Sequence, residues 1–268
     1  MNKLWTFVIN TNISFPENEY YFVYKNLKIK YIVRNKEKKA DNAIICYDAK
    51  NISDGEAYKI FAEYLNALAF CHQSFINFYP VIQTENNCDL SKVNYGSDVA
   101  RIYDCFNLVP SPCLISNVEN NEQAQLISLF NQAKSNQNYC FKLLFFWHSL
   151  VYPNKDEKSA IGFINSNLEK ADNFYLNYIK NKPLFSKNGK IDSTVGNYIK
   201  HGVRNSIAHI IRNDNKAISL ELENYEQIKH INALNHILED ISKYRIEEIY
   251  NVKPFAPMNV LYEFDPPV

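Results

Sequence analysis

His201-Gly202-Val203-Arg204-Asn205-Ser206-Ile207-Ala208-His209 is the stretch from which the rest of the chain is read. From Arg204 to His209 it sets a guanidinium, a carboxamide, a hydroxyl and an imidazole inside an apolar pattern. Val195, Ile199, Val203, Ile207 and Ile211 recur every four residues, which marks a buried helix face. A buried face flanked by Arg and His needs an explanation, because arginine is almost never buried unpaired.

On one straight helix Arg204 and His209 stand five steps of roughly 100° apart, about 140° round the axis, and do not share a face. Asn205 and His209, four apart, do share one. Gly202 offers a stop for one helix, with a second starting at Val203. Arg204 then sits in a first turn, its long side chain able to swing towards His209. For a lone Arg and His the ordinary reading is a capped helix whose polar residues bond neighbouring helices.

Composition limits the possibilities. The chain has 268 residues, 46% apolar and 14% aromatic, with only six glycines. That is enough for one large or two modest folded domains. Formal net charge is zero, which disfavours a protein that grips long duplex through many phosphates. Locally the balance differs. Lys180 to Lys216 holds eight Lys or Arg against Asp192 and Asp214, a surplus of +6 around the motif. Such a run is ordinarily a solvated loop, but its placement favours an anionic ligand, with Lys187, Lys190 and Lys200 as candidate contacts. The six cysteines form no Cys-x-x-Cys and have no His at zinc-ligand spacing. Met1-Asn-Lys-Leu-Trp-Thr-Phe lacks the apolar core of a signal peptide, and no run approaches a membrane span. The expectation is a cytoplasmic protein with free thiols and no membrane partner.

Ahead of the motif the pattern is mixed. Leu4 to Ile9, Tyr20 to Tyr24, Leu27 to Val33 and Ala43 to Tyr47 read as strands separated by turns rich in Asn and Lys. The alternate basic face of Lys28 and Lys30 is either an RNA contact or, more ordinarily, a solvated sheet face. Ser53-Asp-Gly-Glu56 has capping-box spacing and opens a helix expected to run to Tyr79, where Pro80 stops it. His72 on it reads as a core or boundary residue. Val81 to Val118 is irregular, with a candidate strand over Val99 to Phe106.

The remainder reads as helical. Helices are expected over Glu122–Lys134, Cys140–Val151, Lys158–Ile179 and Thr194–Ile211. A last one is capped by Asn224-x-x-Gln227 and runs to Tyr250, with His230 and His236 as structural residues. Ala217 to Leu222 reads as a short extended piece. The fold class expected is α+β, with an N-terminal β-rich domain over 1–118, a mainly α bundle over 119–253 and a Pro-rich tail over 254–268.

Arg-x-x-x-x-His, with Asn directly after the Arg and Ala directly before the His, resembles the signature of the HEPN family of small helical domains. The form Arg204-Asn-Ser-Ile-Ala-His209 looks most like the Apea-like and MauJ-like (methylamine utilisation) branches. The resemblance covers residues 120 to 250 and implies a HEPN-like helical bundle with the motif near its penultimate helix. Many members of that family are metal-independent endoribonucleases, often toxins or antiphage effectors, and others lack activity. The resemblance implies a composite site across a homodimer, an RNA substrate, no cofactor, and an antitoxin or regulatory partner. It makes His209 the acid/base, Arg204 the phosphate clamp, Asn205 an orienting group and Ser206 a minor polar contact. His201 either supplies a second imidazole or is a surface residue.

The chemistry fits those residue types. Metal-free RNA cleavage needs an activated 2′-hydroxyl, a protonated leaving 5′-oxygen and a neutralised phosphate. Histidine transfers protons near neutral pH, and the planar guanidinium donates paired hydrogen bonds without losing its charge. One histidine is short of an acid and a base, which a two-fold pairing of chains would remedy. The competing reading is a non-catalytic HEPN module that binds nucleotide or RNA or serves as a dimerisation scaffold. No Gly-rich phosphate loop, Gly-x-Ser-x-Gly or His-Glu-x-x-His is present, and the carboxylates are dispersed, so a two-metal nuclease is unsupported.

Overall fold

Alternation of apolar and polar residues in the first part of the chain produces an antiparallel sheet. The computed structural model describes residues 4–16, 19–25, 27–33, 42–47, 52–84, 107–108, 111–186, 189–191, 193–208, 220–221 and 224–253. The chain is α+β and divides into two compact units, Met1–Val118 with Lys253–Val268, and Glu119–Val252.

In the first unit β1 (Leu4–Thr11), β3 (Glu19–Tyr24), β4 (Leu27–Ile32), β5 (Asn42–Tyr47) and β6 (Ile76–Thr84) form one sheet in the order β3-β4-β5-β1-β6. β2 (Ile13–Ser14) pairs in parallel with β7 (Asn107–Leu108). Leu27, Ile29 and Tyr31 of β4 point into the core while Lys28 is exposed. Lys30, between them, pairs with Glu19 at 2.8 Å, which makes it part of an ordinary surface ion pair. Helix α1 (Asp54–Cys71) buries Ala57, Phe61, Tyr64, Leu65 and Leu68 in the core that Phe22, Ile29 and Tyr31 also share.

The expected run of this helix to Tyr79 is corrected. It ends at Cys71, because Gln73 adopts a left-handed φ of 49° and its side-chain amide donates to the Phe70 carbonyl at 2.7 Å. Ile76–Thr84 is a strand, and Pro80 lies within it opposite Phe7. Because β6 is an edge strand, a residue without an N–H is tolerated there. The candidate strand at 99–106 and the tail at 254–268 lie outside the described residues.

The second unit is helical, and nearly every start carries a side-chain cap. α2 (Asn121–Ser135) has a full capping box between Asn120 and Gln123. Asn138 caps α3 (Tyr139–Val151), Asp156 caps α4 (Glu157–Ser166), Asp172 caps α5 (Asn173–Asn181) and Asn224 caps α8 (Tyr225–Tyr244). α3 packs against α2 and α8, burying Leu143, Phe146, Trp147 and Leu150. Arg245, 4% exposed, donates to the Leu150 carbonyl and lies over the Phe163 ring at 4.6 Å.

Two further expectations are corrected. The single helix over Lys158–Ile179 is two helices separated by a short 3-10 turn at Leu168–Lys170. Asn167 closes the first by donating to Phe163 O at 2.8 Å, and Asp172 opens the second by accepting from Phe174 N at 2.8 Å. The motif helix does not stop at Gly202. It runs as α6 (Val195–Asn197), a π-helical stretch Tyr198–Arg204, and α7 (Asn205–Ala208). Gly202 serves packing instead, since a Cβ there would lie 3.0 Å from the Phe185 carbonyl oxygen. Among the described residues, no helix is long and apolar enough to cross a membrane.

Candidate functional site

The site grows from the docking of α4 on the motif helix. Gly196 permits the close approach, because a Cβ would stand 2.8 Å from the Ile161 carbonyl oxygen. Its N–H donates to Asn165 Oδ1 at 2.9 Å, and Asn165 Nδ2 donates to Thr194 Oγ1 at 2.8 Å. At the start of α4, Asp156 accepts from Lys158 N at 3.0 Å and Ser159 N at 2.9 Å. This fixes Glu157 as the first helical residue, where the helix dipole favours a carboxylate.

Glu157 then reaches two cations on the motif helix. Its Oε2 stands 2.9 Å from Lys200 Nζ and its Oε1 3.1 Å from Arg204 Nη2. The Trp147 indole lies close enough to favour its charged form. The Lys200 ammonium holds the Glu157 carboxyl below the usual carboxylate range, Arg204 adds to this, and partial burial opposes it. Arg204 donates from Nη1 to Asn205 Oδ1 at 3.0 Å, and its Nε is buried without a hydrogen-bond partner. The Lys200 and Arg204 side chains are each 22% exposed, so both remain within reach of a ligand.

His148, in the last turn of α3, is exposed and follows Trp147 directly. The protein around its ring lowers the imidazole's pKa by desolvation, the Arg204 charge lowers it further, and the Glu157 carboxylate opposes both. His148, Glu157 and Trp147 had no part in the expected site. Glu157 sits among polar residues and Trp147-His148 ends an apolar run, so the only available signal was one histidine in the last turn of an otherwise apolar helix.

Of the expected site residues, Arg204, Asn205 and Lys200 lie together. His201 is exposed on the same π-helical stretch, and Lys190 is exposed in the preceding loop. Ser206 lies on the inner side of the same helix, 3% exposed, and donates back to the Gly202 carbonyl. His209 and Lys187 lie outside the described residues. The basic surplus is offset in space, since Lys200 and Arg204 share Glu157 and Lys182 pairs with Glu226 at 2.7 Å. The apolar faces of α3 and the motif helix are used within the unit, with Leu143, Phe146, Val195, Ile199 and Val203 all buried. Among the described residues no group of three or more His, Cys, Asp or Glu gathers to hold a metal.

Behind the site, His230 of α8 is fully buried. Its Nε2 stands 2.7 Å from the Tyr198 hydroxyl, and that oxygen accepts from Phe185 N at 3.2 Å. Its Nδ1 has no hydrogen-bond partner. Burial pushes the imidazole down to about 4, with Lys182 adding to the effect. The neutral ring is therefore the form that stabilises the fold. Its contribution is complete above the unfolded-state value near 6.5 and is lost as pH falls from there towards 4. The shift corresponds to roughly 3 kcal/mol. Lowering pH from 7 to 4.5 is expected to cut the urea-unfolding free energy by roughly 2–3 kcal/mol through this residue. His230→Phe should remove that part of the acid sensitivity, and equal acid loss in both proteins would exclude His230 as its source.

No family model matches the chain, and no curated protein or solved structure is similar to it.

Proposed function

We propose that the chain is a metal-independent endoribonuclease of HEPN type, acting as a toxin or antiphage effector. The supporting observation is that Lys200 and Arg204 stand side by side, partly exposed, held by one carboxylate, immediately ahead of Asn205-Ser206-Ile207-Ala208-His209. Two adjacent cations can take the two non-bridging oxygens of a phosphodiester. Glu157 keeps them together in the absence of RNA and must yield them when phosphate enters. His209 follows Ala208 directly in the chain and would serve as the proton-transfer group. A second copy of the chain would supply a second His209, and sedimentation of the active protein should then show a dimer.

The reading is tested by incubating the protein with total RNA in EDTA. Cleavage should persist, and the products should carry a 2′,3′-cyclic phosphate and a 5′-hydroxyl, since attack comes from the RNA's own 2′-oxygen. Absence of cleavage under every condition, or cleavage only with added metal, would sink it. One observation favours the non-catalytic binding module: Arg204 already has a carboxylate partner, as a structural anchor would. That module would bind RNA without turnover.

A further inference from the structure

Lys200 and Arg204 stand four residues apart on the π-helical stretch, where two like charges repel unless something lies between them. Glu157 fills that place. It sets one carboxylate oxygen on each cation, Oε2 at 2.9 Å from Lys200 Nζ and Oε1 at 3.1 Å from Arg204 Nη2. A phosphodiester would engage the same two cations through its two non-bridging oxygens. We propose that Glu157 decides which anions this site admits: it stands in for the phosphodiester, and only a ligand that brings an anionic oxygen to each cation displaces it. The proposal rests on the phosphate clamp of the endoribonuclease reading and adds to it an internal competitor.

The backbone beneath Glu157 is fixed at both ends of α4. Asp156 accepts from Lys158 N and Ser159 N at the start. Near the end, Asn165 accepts from Gly196 N at 2.9 Å and donates to Thr194 Oγ1 at 2.8 Å. Displacement therefore needs only rotation of the Glu157 side chain. That side chain is one-third exposed, so water can take over its charge. The first turn of α4 continues to favour a carboxylate after release. Arg204 keeps a second anchor, because its Nη1 donates to Asn205 Oδ1 at 3.0 Å. The Lys200 ammonium holds the Glu157 carboxyl below the usual carboxylate range, so the competitor is charged at neutral pH. A tethered carboxylate also competes at a high effective concentration. A single-point anion such as chloride replaces one of its two contacts, whereas a phosphodiester replaces both.

The test measures binding of inorganic phosphate and of a short, uncleavable 2′-O-methyl oligonucleotide to wild type, Glu157→Gln and Glu157→Asp. Both variants should fold, because the altered carboxylate is partly exposed, and circular dichroism checks this. Glu157→Gln should bind both probes about tenfold more tightly, the value of two partly exposed ion pairs no longer in competition. Glu157→Asp keeps the charge on a shorter side chain, so its affinity should fall between the two. Chloride should compete with phosphate more strongly in Glu157→Gln than in wild type. The gain should shrink when Lys200→Gln is added, since one of the contested contacts is then missing. Glu226→Gln removes the same charge from the Lys182 pair and should change neither affinity. Unchanged or weaker binding by Glu157→Gln would overturn the proposal and make Glu157 a scaffold for the two cations. An equal gain from Glu226→Gln would overturn it too, by tracing the effect to net charge, as would failure of both probes to bind wild type and Glu157→Gln. Tighter binding by Glu157→Gln with no RNA cleavage by any of the proteins would uphold the proposal and sink the nuclease reading. Cleavage by wild type with no gain in affinity from Glu157→Gln would do the reverse.

Discussion

Replacing Arg204 or His209 with alanine is expected to lower RNA cleavage by about a hundred- to ten-thousandfold, the usual cost of losing an acid/base or its charge partner. The two variants differ in what they disturb. His209→Ala removes a proton-transfer group by the reading proposed here. Arg204→Ala removes one of the two cations held by Glu157 and leaves Lys200 as its remaining partner on the motif helix. A carboxylate that is one-third exposed can turn to water, so the stability cost should be small, about 1 kcal/mol or less. The measurement is paired: total-RNA digestion and thermal unfolding on the same samples. Lost cleavage with a melting temperature within a few degrees supports the nuclease. A large drop in melting temperature for Arg204→Ala, with no cleavage even by wild type, would support the structural anchor instead.

Trp147→Ala should be the most destabilising single change at the site. The ring is fully buried on α3, and it is the largest of the fully buried side chains described. Truncating such a residue costs about 3–5 kcal/mol through lost transfer energy and the cavity left behind. A whole domain is stable by only about 5–15 kcal/mol, so the variant should lie near the edge of folding. Trp147→Phe is the milder change, since it keeps one buried ring and loses the second. It should cost about 1–2 kcal/mol, less than full truncation because a smaller cavity is left. Urea unfolding followed by helical circular dichroism checks both. A Trp147→Ala midpoint close to wild type would show that α3 is not seated in the core. A Phe variant as unstable as the Ala variant would show that the seat of α3 needs the whole indole rather than any aromatic ring.

Local patterns in the chain determined most of its elements. Alternation gave β4, with Leu27, Ile29 and Tyr31 inward, because side chains on a strand alternate faces. The four-residue ladder Val195, Ile199, Val203 and Ile207 is buried as that spacing requires. Ser53, Asn224 and their partners mark helix starts, because a cap satisfies backbone donors only a few residues away. The α+β class follows from these same local signals. What failed was also instructive. Pro80 reads as a helix stop, yet it sits in a strand, because being on a sheet edge is decided by pairing partners distant in sequence. Gly202 reads as a helix end, yet it is there to admit Phe185, a contact no periodicity encodes. The site divides in the same way. Lys200, Arg204 and Asn205 were legible because they are neighbours along one helix. Glu157 was not, because only the docking of α4 at Gly196 brings it to the motif. Coulomb attraction and hydrogen bonding act between neighbours in space, and that neighbourhood is set by the tertiary fold.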